Sequence, residues 1–293
     1  MLCEYFQINP IPSTVQVLCF YAQFLSRSFR SVNSIKNYLS GVKLLHLYLD
    51  DDYPKFDEFQ LKLTLKGLAR MNPHCPKQAL PITPQILLRI FELLDISKPY
   101  DATFWCLFLH AFFLMFRKSN LVPNSVKQFD ERKQLCRKNI KYDRSKGMLI
   151  FDICWSKTIQ CGERTLYIPL VEIPNSSLCP VKAYINMITL IPAENESPAF
   201  CILKGKLLVP VTYYLFQNVL RKLIKEIGED PKQYSSHSFR RGGATWAFSS
   251  NIPSELIQLY GDWSSDAYKT YLKFSSKDKI SVAIKMKDHI LDI

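Results

Sequence analysis

Six side chains set far apart along this 293-residue chain could act together on a phosphodiester: Arg117, Lys157, His237, Arg240, Trp263 and Tyr271. Such a reaction needs a nucleophile, donors for the extra charge on the non-bridging oxygens, and an acid for the departing oxygen. Guanidinium groups stay charged and donate paired hydrogen bonds, so Arg117 and Arg240 suit the oxygens. In His237-Ser-Phe-Arg240 a spacing of three puts both outer residues on one face of a helix, where both can point at one phosphate. Lys157 can reach a leaving 5′-oxygen as general acid. The indole N–H of Trp263 can donate to a phosphate oxygen while its ring packs. Tyr271, eight residues after Trp263, would attack through its phenolic oxygen and become a 3′-phosphotyrosyl ester. That ester conserves the bond energy, so a 5′-hydroxyl can reverse the step without a nucleotide cofactor. Several fixed cations also remove the need for a metal ion.

Taken singly, each residue has an ordinary explanation. Arg117 reads as a solvated charge at a helix C-terminus, Lys157 as any hairpin lysine, and Trp263 and Tyr271 as core aromatics. Order, spacing and flanking context together carry the chemical reading.

The elements that must position these residues follow from periodicity and punctuation. Pro12-Ser13 opens a helix with Val15, Leu18, Cys19, Ala22 and Leu25 at helical spacing. A second, Ser31 to Asp50, sets Ile35, Tyr38, Leu39, Val42, Leu45 and Leu49 on one side, and a third runs from about Lys55 to Met71. Three prolines between Asn72 and Pro81 break any helix. The expectation is a helical domain over residues 1–72, a linker over 73–82 and a second domain over 83–293. In the second domain Thr83-Pro84 starts a helix over 84–95, and a strongly apolar helix spans 99–116, ending at Arg117. Met148 to Trp155 and Arg164 to Leu170 read as a β-hairpin with Lys157 near its tip. A helix from Cys179-Pro180, a short hairpin around Lys204-Gly-Lys206, a helix over 212–227 and further helices from Ser236 complete the pattern. The fold class is mainly α with small antiparallel β-hairpins.

Composition narrows the partners. A formal charge of +12 suits a partner carrying dense phosphate, although an anionic membrane surface asks for the same sign. No run of about 18 uncharged apolar residues occurs, and the N-terminal MLCEYFQINP lacks a basic and apolar leader, so a soluble intracellular protein is expected. Nine cysteines fall without CxxC or zinc spacing, which argues for reduced thiols and against a disulfide framework or a metal site.

The segments Phe116-Arg-Lys-Ser-Asn-Leu-Val-Pro123, Trp155-Ser-Lys-Thr158, His237-Ser-Phe-Arg-Arg-Gly-Gly-Ala-Thr245 and Gly261-Asp-Trp-Ser-Ser-Asp-Ala-Tyr-Lys-Thr-Tyr-Leu272 resemble the tyrosine recombinase (phage integrase) family. The last two look most like eukaryotic mobile-element recombinases of the Crypton type. The resemblance spans nearly the whole chain and implies a two-domain DNA-breaking-rejoining architecture, with a core-binding domain followed by a catalytic domain. It assigns Arg117 and Arg240 to the two catalytic arginine positions, Lys157 to the hairpin lysine and His237 to the first HxxR residue. Trp263 takes the His/Trp position and Tyr271 the nucleophile. Two departures stand out. Asn120 occupies a position three after the first arginine that is acidic in many relatives. The step from Trp263 to Tyr271 is one residue shorter than is common, which keeps Tyr268 as a rival nucleophile.

The implied partner is double-stranded DNA, clamped between the domains, with Arg27, Arg30, Lys36, Lys43 and Arg241 as candidate DNA-binding residues. The tail from Ser276 to Ile293 alternates Ile280, Val282, Ile284, Met286 and Ile290 with lysines, and the resemblance implies a C-terminal helix that docks on a neighbour in a DNA-assembled homotetramer. Neither a membrane nor a small-molecule substrate is expected, and in a eukaryote the chain would act in the nucleus. The competing functions are a catalytically silent DNA-binding protein derived from such an enzyme, and a type IB topoisomerase-like activity with the same phosphotyrosine chemistry.

Overall fold

In the computed structural model, residues 2–54, 58–74, 78–160 and 163–271 are described, together with 280, 284, 287 and 290. The chain divides into two compact units, 1–77 and 78–293.

The first unit is helical: α1 (Leu2–Tyr5), α2 (Val15–Ser26), α3 (Val32–Leu49) and α4 (Phe59–Met71). The Thr14 hydroxyl caps α2 by accepting from the Val17 N–H. Leu18, Ala22 and Leu25 of α2, Ile35 and Leu39 of α3, and Leu61, Leu65 and Leu68 of α4 form one buried cluster. The α3 stripe differs from the expected one. Tyr38, Leu45 and Leu49 are 46%, 48% and 47% exposed, while His46 is fully buried beside Ile35 and Leu39. The polar ring holds a core position because both nitrogens are satisfied. Nε2 accepts from the Ser13 N–H at 2.8 Å, which leaves the proton on Nδ1 to be donated to the Val42 carbonyl at 2.8 Å.

The second unit is built around one helix. Its entry segment is tied down earlier than a linker over 73–82 would allow: the Leu80 N–H donates to the Gln233 carbonyl and the Ile82 N–H to the Ser238 carbonyl. Proline at 81 removes only its own donor, so the residues on either side still pair. After α5 (Pro84–Phe91), capped by the Thr83 hydroxyl, comes α6 (Pro99–Phe113), every residue of which is buried from Ala102 to Phe112. The helix stops three residues short of its apolar run because Met115 adopts a left-handed conformation, φ 51°. The short α7 (Lys118–Leu121) follows.

The expected hairpin is present between β2 (Met148–Ile153) and β3 (Leu166–Val171), paired antiparallel from Met148↔Val171 to Ile153↔Leu166. A further strand, β1 (Ile140–Asp143), extends it to a three-stranded sheet in the order β1-β2-β3. The turn from β1 is fixed by the Asp143 carboxylate, which accepts from the Ser145 and Lys146 N–H groups. Then come α8 (Pro180–Leu190), the hairpin β4 (Cys201–Lys204) with β5 (Leu207–Pro210), α9 (Tyr213–Glu226), α10 (Ser236–Ser249), α11 (Ser254–Tyr260) and a 3-10 turn at Asp266–Tyr271. α8 and α10 pack on α6, where Phe108 stacks on Phe239 with ring centroids 5.3 Å apart. No helix among the described residues is long and apolar enough to cross a membrane.

Candidate active site

The site is assembled on α10. A capping box closes its N-terminus, the Ser238 hydroxyl accepting from the Ser235 N–H at 3.0 Å. Two glycines then let the helix press against backbone. A Cβ at Gly242 would fall 1.9 Å from the Ile82 carbonyl oxygen, and one at Gly243 would fall 2.1 Å from that of Phe112. This close approach sets His237 and Arg240, one turn apart, against the chain that leaves α6.

Arg240 is buried. Its Nη1 donates to the Met115 carbonyl, which the left-handed Met115 conformation presents, and its Cζ lies 3.8 Å from the centre of the Trp263 ring. Nη2 is buried with no partner among the described residues. Burial and the charge of Arg117 push Arg240 down to about 9, opposed by Tyr271 and Asp262, so the group remains a cation at neutral pH. Arg117, two residues past Met115, is half-buried. His237 is exposed as a whole, yet the packing around its ring lowers its pKa, and Arg240, Lys118 and Arg117 lower it further. The imidazole is therefore neutral at pH 7.

Trp263 is buried in a small cluster with Met115, Ala244, Ala247, Ile257 and Tyr268. Its indole lies so close over Gly261 that a Cβ there would sit 1.7 Å from the ring. The two candidate tyrosines part company on this ring. Tyr268, 2% exposed, packs with its centroid 6.1 Å from Trp263 and belongs to the core. Tyr271 packs with its centroid 6.0 Å from the same ring and is only half-buried. Its carbonyl accepts from the Thr245 hydroxyl at 2.6 Å, which ties the 3-10 turn to α10.

Lys157 is exposed on a tight turn in which the Ser156 and Ile159 backbones exchange hydrogen bonds of 3.0 and 3.1 Å. Both of its neighbours point at one carboxylate. Ser156 Oγ donates to Asp262 Oδ2 at 2.6 Å and Thr158 Oγ1 donates to the same oxygen. Asn120, the departure at the third position after Arg117, donates from Nδ2 to the Trp155 carbonyl at 2.7 Å and so holds the start of the same loop.

Arg241, a candidate DNA-binding residue, is buried, its Cζ 5.6 Å from the centre of the Tyr271 ring and its Nε without a partner among the described residues. The α10 face it occupies packs inward. Arg27, Arg30, Lys36 and Lys43 are all exposed on the first unit. Sequence reasoning missed Lys118, whose Nζ lies 3.2 Å over the Tyr213 ring and whose pKa is lowered by desolvation. It also missed Asp262 and Arg164, which pair at 2.6 Å. Adjacency to Arg117 and to Trp263 was the available signal for Lys118 and Asp262. Among the described residues no group of three or more His, Cys, Asp or Glu side chains is placed to hold a metal ion.

The arrangement offers an anion two guanidinium groups and a neutral imidazole, with an accessible phenol alongside. No family model matches the chain, and no curated relative matches it. Solved structures do. A Tn1549 transposon integrase fragment in complex with transposon right-end DNA superposes with TM-score 0.64 at 15% identity, over 95% of this chain and 87% of that one. XerH site-specific recombinase, bound to a palindromic difH substrate in a post-cleavage complex, gives 0.63 at 16% identity, over 96% and 76%. The Tn1549 integrase with circular-intermediate DNA gives 0.56 at 16%, over 94% and 86%. The chain has the tyrosine recombinase fold.

Proposed function

We propose that this chain is a site-specific DNA recombinase that cuts and rejoins strands through Tyr271. The observation that carries the reading is a half-buried phenol beside Trp263, over whose ring lies Arg240, a buried cation with one donor unpaired among the described residues, with Arg117 and His237 close enough to perturb one another. Desolvated cations of one sign repel each other, and a phosphodiester supplies the missing negative charge. The Tyr271 oxygen attacks phosphorus and the P–O5′ bond breaks. Lys157 gives its proton to the departing O5′, and the phenolic proton passes to solvent. Arg117 and Arg240 hold the non-bridging oxygens, His237 and the Trp263 indole N–H add donors, and no metal enters the scheme.

The likeness in fold to integrases and recombinases solved on DNA supports a DNA substrate. Residues 1–72 serve as the core-binding domain and 83–293 as the catalytic domain, and the Crypton-like wording of the motifs favours integration of a mobile element in a nucleus. A homotetramer on paired sites gains support from an apolar groove in the second unit, where Tyr167, Trp246, Leu256 and Leu259 are exposed. In the tail, Ile280, Ile284 and Ile290 are helical and exposed; its other apolar residues lie outside the described residues. Deleting residues 276–293 should weaken synapsis while leaving monomer DNA binding intact, and unchanged synapsis would refute that role.

The deciding experiment uses a nicked suicide duplex carrying element-end sequence, scored for a covalent adduct. Wild type should form it and Tyr271→Phe should not, with Tyr268→Phe unaffected. Loss only with Tyr268→Phe would reassign the nucleophile. Absence of an adduct on DNA that the protein binds would leave a binding function alone.

A further inference from the structure

Asp262 is an unusual residue for its place. It is 6% exposed, sits in the left-handed region at φ 53°, and directs its carboxylate away from its own segment. Among the described residues, the three side chains that bind it come from the loop joining β2 to β3: Ser156 at 2.6 Å and Thr158 on Oδ2, and Arg164 Nη2 at 2.6 Å on Oδ1. Ser156 and Thr158 are the residues on either side of Lys157. Asp262 itself immediately precedes Trp263, whose N–H is bound to the Gln258 carbonyl at 3.1 Å. One buried carboxylate thus fastens the turn carrying the proposed acid to the segment carrying Trp263 and, beyond it, Tyr271. Burial raises its pKa, but hydrogen bonds from Ser156 and Thr158 and the charges of Arg164 and Arg117 outweigh this, so it is held below the usual carboxylate range.

We infer that Asp262 is a positioning residue that latches the Lys157 turn to the Trp263–Tyr271 segment and thereby aims the general acid at the leaving oxygen. The inference rests on the recombinase reading above. The latch predicts a defect confined to protonation of the leaving group. If O5′ is replaced by sulfur, the departing thiolate, with a thiol pKa of about 8.5, needs no acid. A substitution that only misplaces Lys157 is then repaired by the substrate, whereas one that disturbs Tyr271, Arg117 or Arg240 is not.

The test is single-turnover adduct formation by the full chain on paired suicide duplexes, identical except for O5′ or a 5′-bridging sulfur at the scissile phosphate. The duplex is one selected for adduct formation from a randomised library. Asp262→Asn should slow the oxygen substrate by on the order of 10- to 100-fold, part of the 10²–10⁴ that a general acid supplies. With sulfur it should come within about 3-fold of wild type, as should Lys157→Ala. On oxygen, the double variant should be no slower than Lys157→Ala alone. Ser156→Ala/Thr158→Val releases the latch from the other side and should copy Asp262→Asn, which keeps the test usable if the first variant folds poorly by thermal melting. A defect in these variants that persists on sulfur while Lys157→Ala is rescued would overturn the latch, as would full activity of Asp262→Asn on oxygen. Failure of sulfur to rescue Lys157→Ala would remove Lys157 as the acid and the latch with it, leaving a Tyr271 adduct to support the recombinase reading. No wild-type adduct on either duplex would sink both.

Discussion

Arg240 is asked to do two things that only a guanidinium does together. Its Cζ lies 3.8 Å from the centre of the Trp263 ring, and it keeps one donor on the Met115 carbonyl while another has no partner among the described residues. Lysine keeps the charge but loses the broad guanidinium contact with the ring and the rigid fork that holds Met115 with one nitrogen while presenting another. Arg240→Lys should therefore reduce adduct formation by about 100-fold or more while lowering affinity for the same duplex far less, a split read by filter binding beside the cleavage assay. Equal losses in both would make Arg240 a binding residue. At this scale the sequence was informative because the chemistry fixes residue identity: an HxxR pair, a tryptophan and a tyrosine stand out as a string. Asp262 did not, since its partners Ser156 and Thr158 are 106 and 104 positions away and nothing local marks the contact. The burial of Arg241 was equally hidden, because α10 is covered all round from Ser238 to Ala244 and only tertiary packing produces that.

At the scale of elements, α10 and α6 touch backbone to backbone, and this makes Gly243 a sensitive position in the scaffold. A methyl there meets the Phe112 carbonyl oxygen at 2.1 Å and Met115 Cγ at 2.9 Å, and the backbone cannot yield as a side-chain end would. Gly243→Ala should cost about 3 kcal/mol and displace Arg240 as the helices separate; a urea midpoint equal to wild type would refute the close packing. On α6 itself His110 is buried among Phe151, Tyr184 and Phe200, donates from Nδ1 to the Cys106 carbonyl at 2.7 Å, and is pushed down to about 4 by burial. Between that value and an unfolded value of 6.5 the unfolded chain binds a proton that the folded chain refuses. Stability is thus fully present above 6.5 and is lost as pH falls toward 4, by about 3 kcal/mol in all. In His110→Gln the pH dependence of the urea midpoint over that window should flatten, and an unchanged slope would place the titration elsewhere. The helices and the main hairpin were legible from periodicity and caps. The end of α6 was not: Leu114, Met115 and Phe116 continue the apolar run and are buried, so composition gives no sign of the left-handed break. β1 was missed because its four residues Ile-Lys-Tyr-Asp alternate too briefly to register.

On the scale of the whole molecule, the described residues form one core of α2–α4 in the first unit and, in the second, a large core around α6 with the smaller Trp263 cluster, and a basic excess is spread over both units. The prolines between 73 and 81 were read as a linker, whereas the pairing of residues 80 and 82 within the second unit depends on backbone partners at Gln233 and Ser238 that no local rule reveals. If the first unit is a DNA-gripping domain, its exposed Arg27, Arg30, Lys36 and Lys43 act as phosphate contacts, which fix position without reading sequence. Each phosphate neutralised releases condensed counterions, so affinity falls with salt at a slope of about 0.9 per contact. The quadruple alanine variant should bind duplex DNA of unrelated sequences more weakly by a similar factor, with the slope of log affinity against log salt shallower by up to about 3.6. These side chains lie outside the first unit's core, so the melting temperature should hold. Because they touch no reacting atom, the rate of adduct formation at saturating protein should also hold, which separates gripping from chemistry. An unchanged salt slope would remove the helical unit from the DNA interface and leave the second unit to bind by itself.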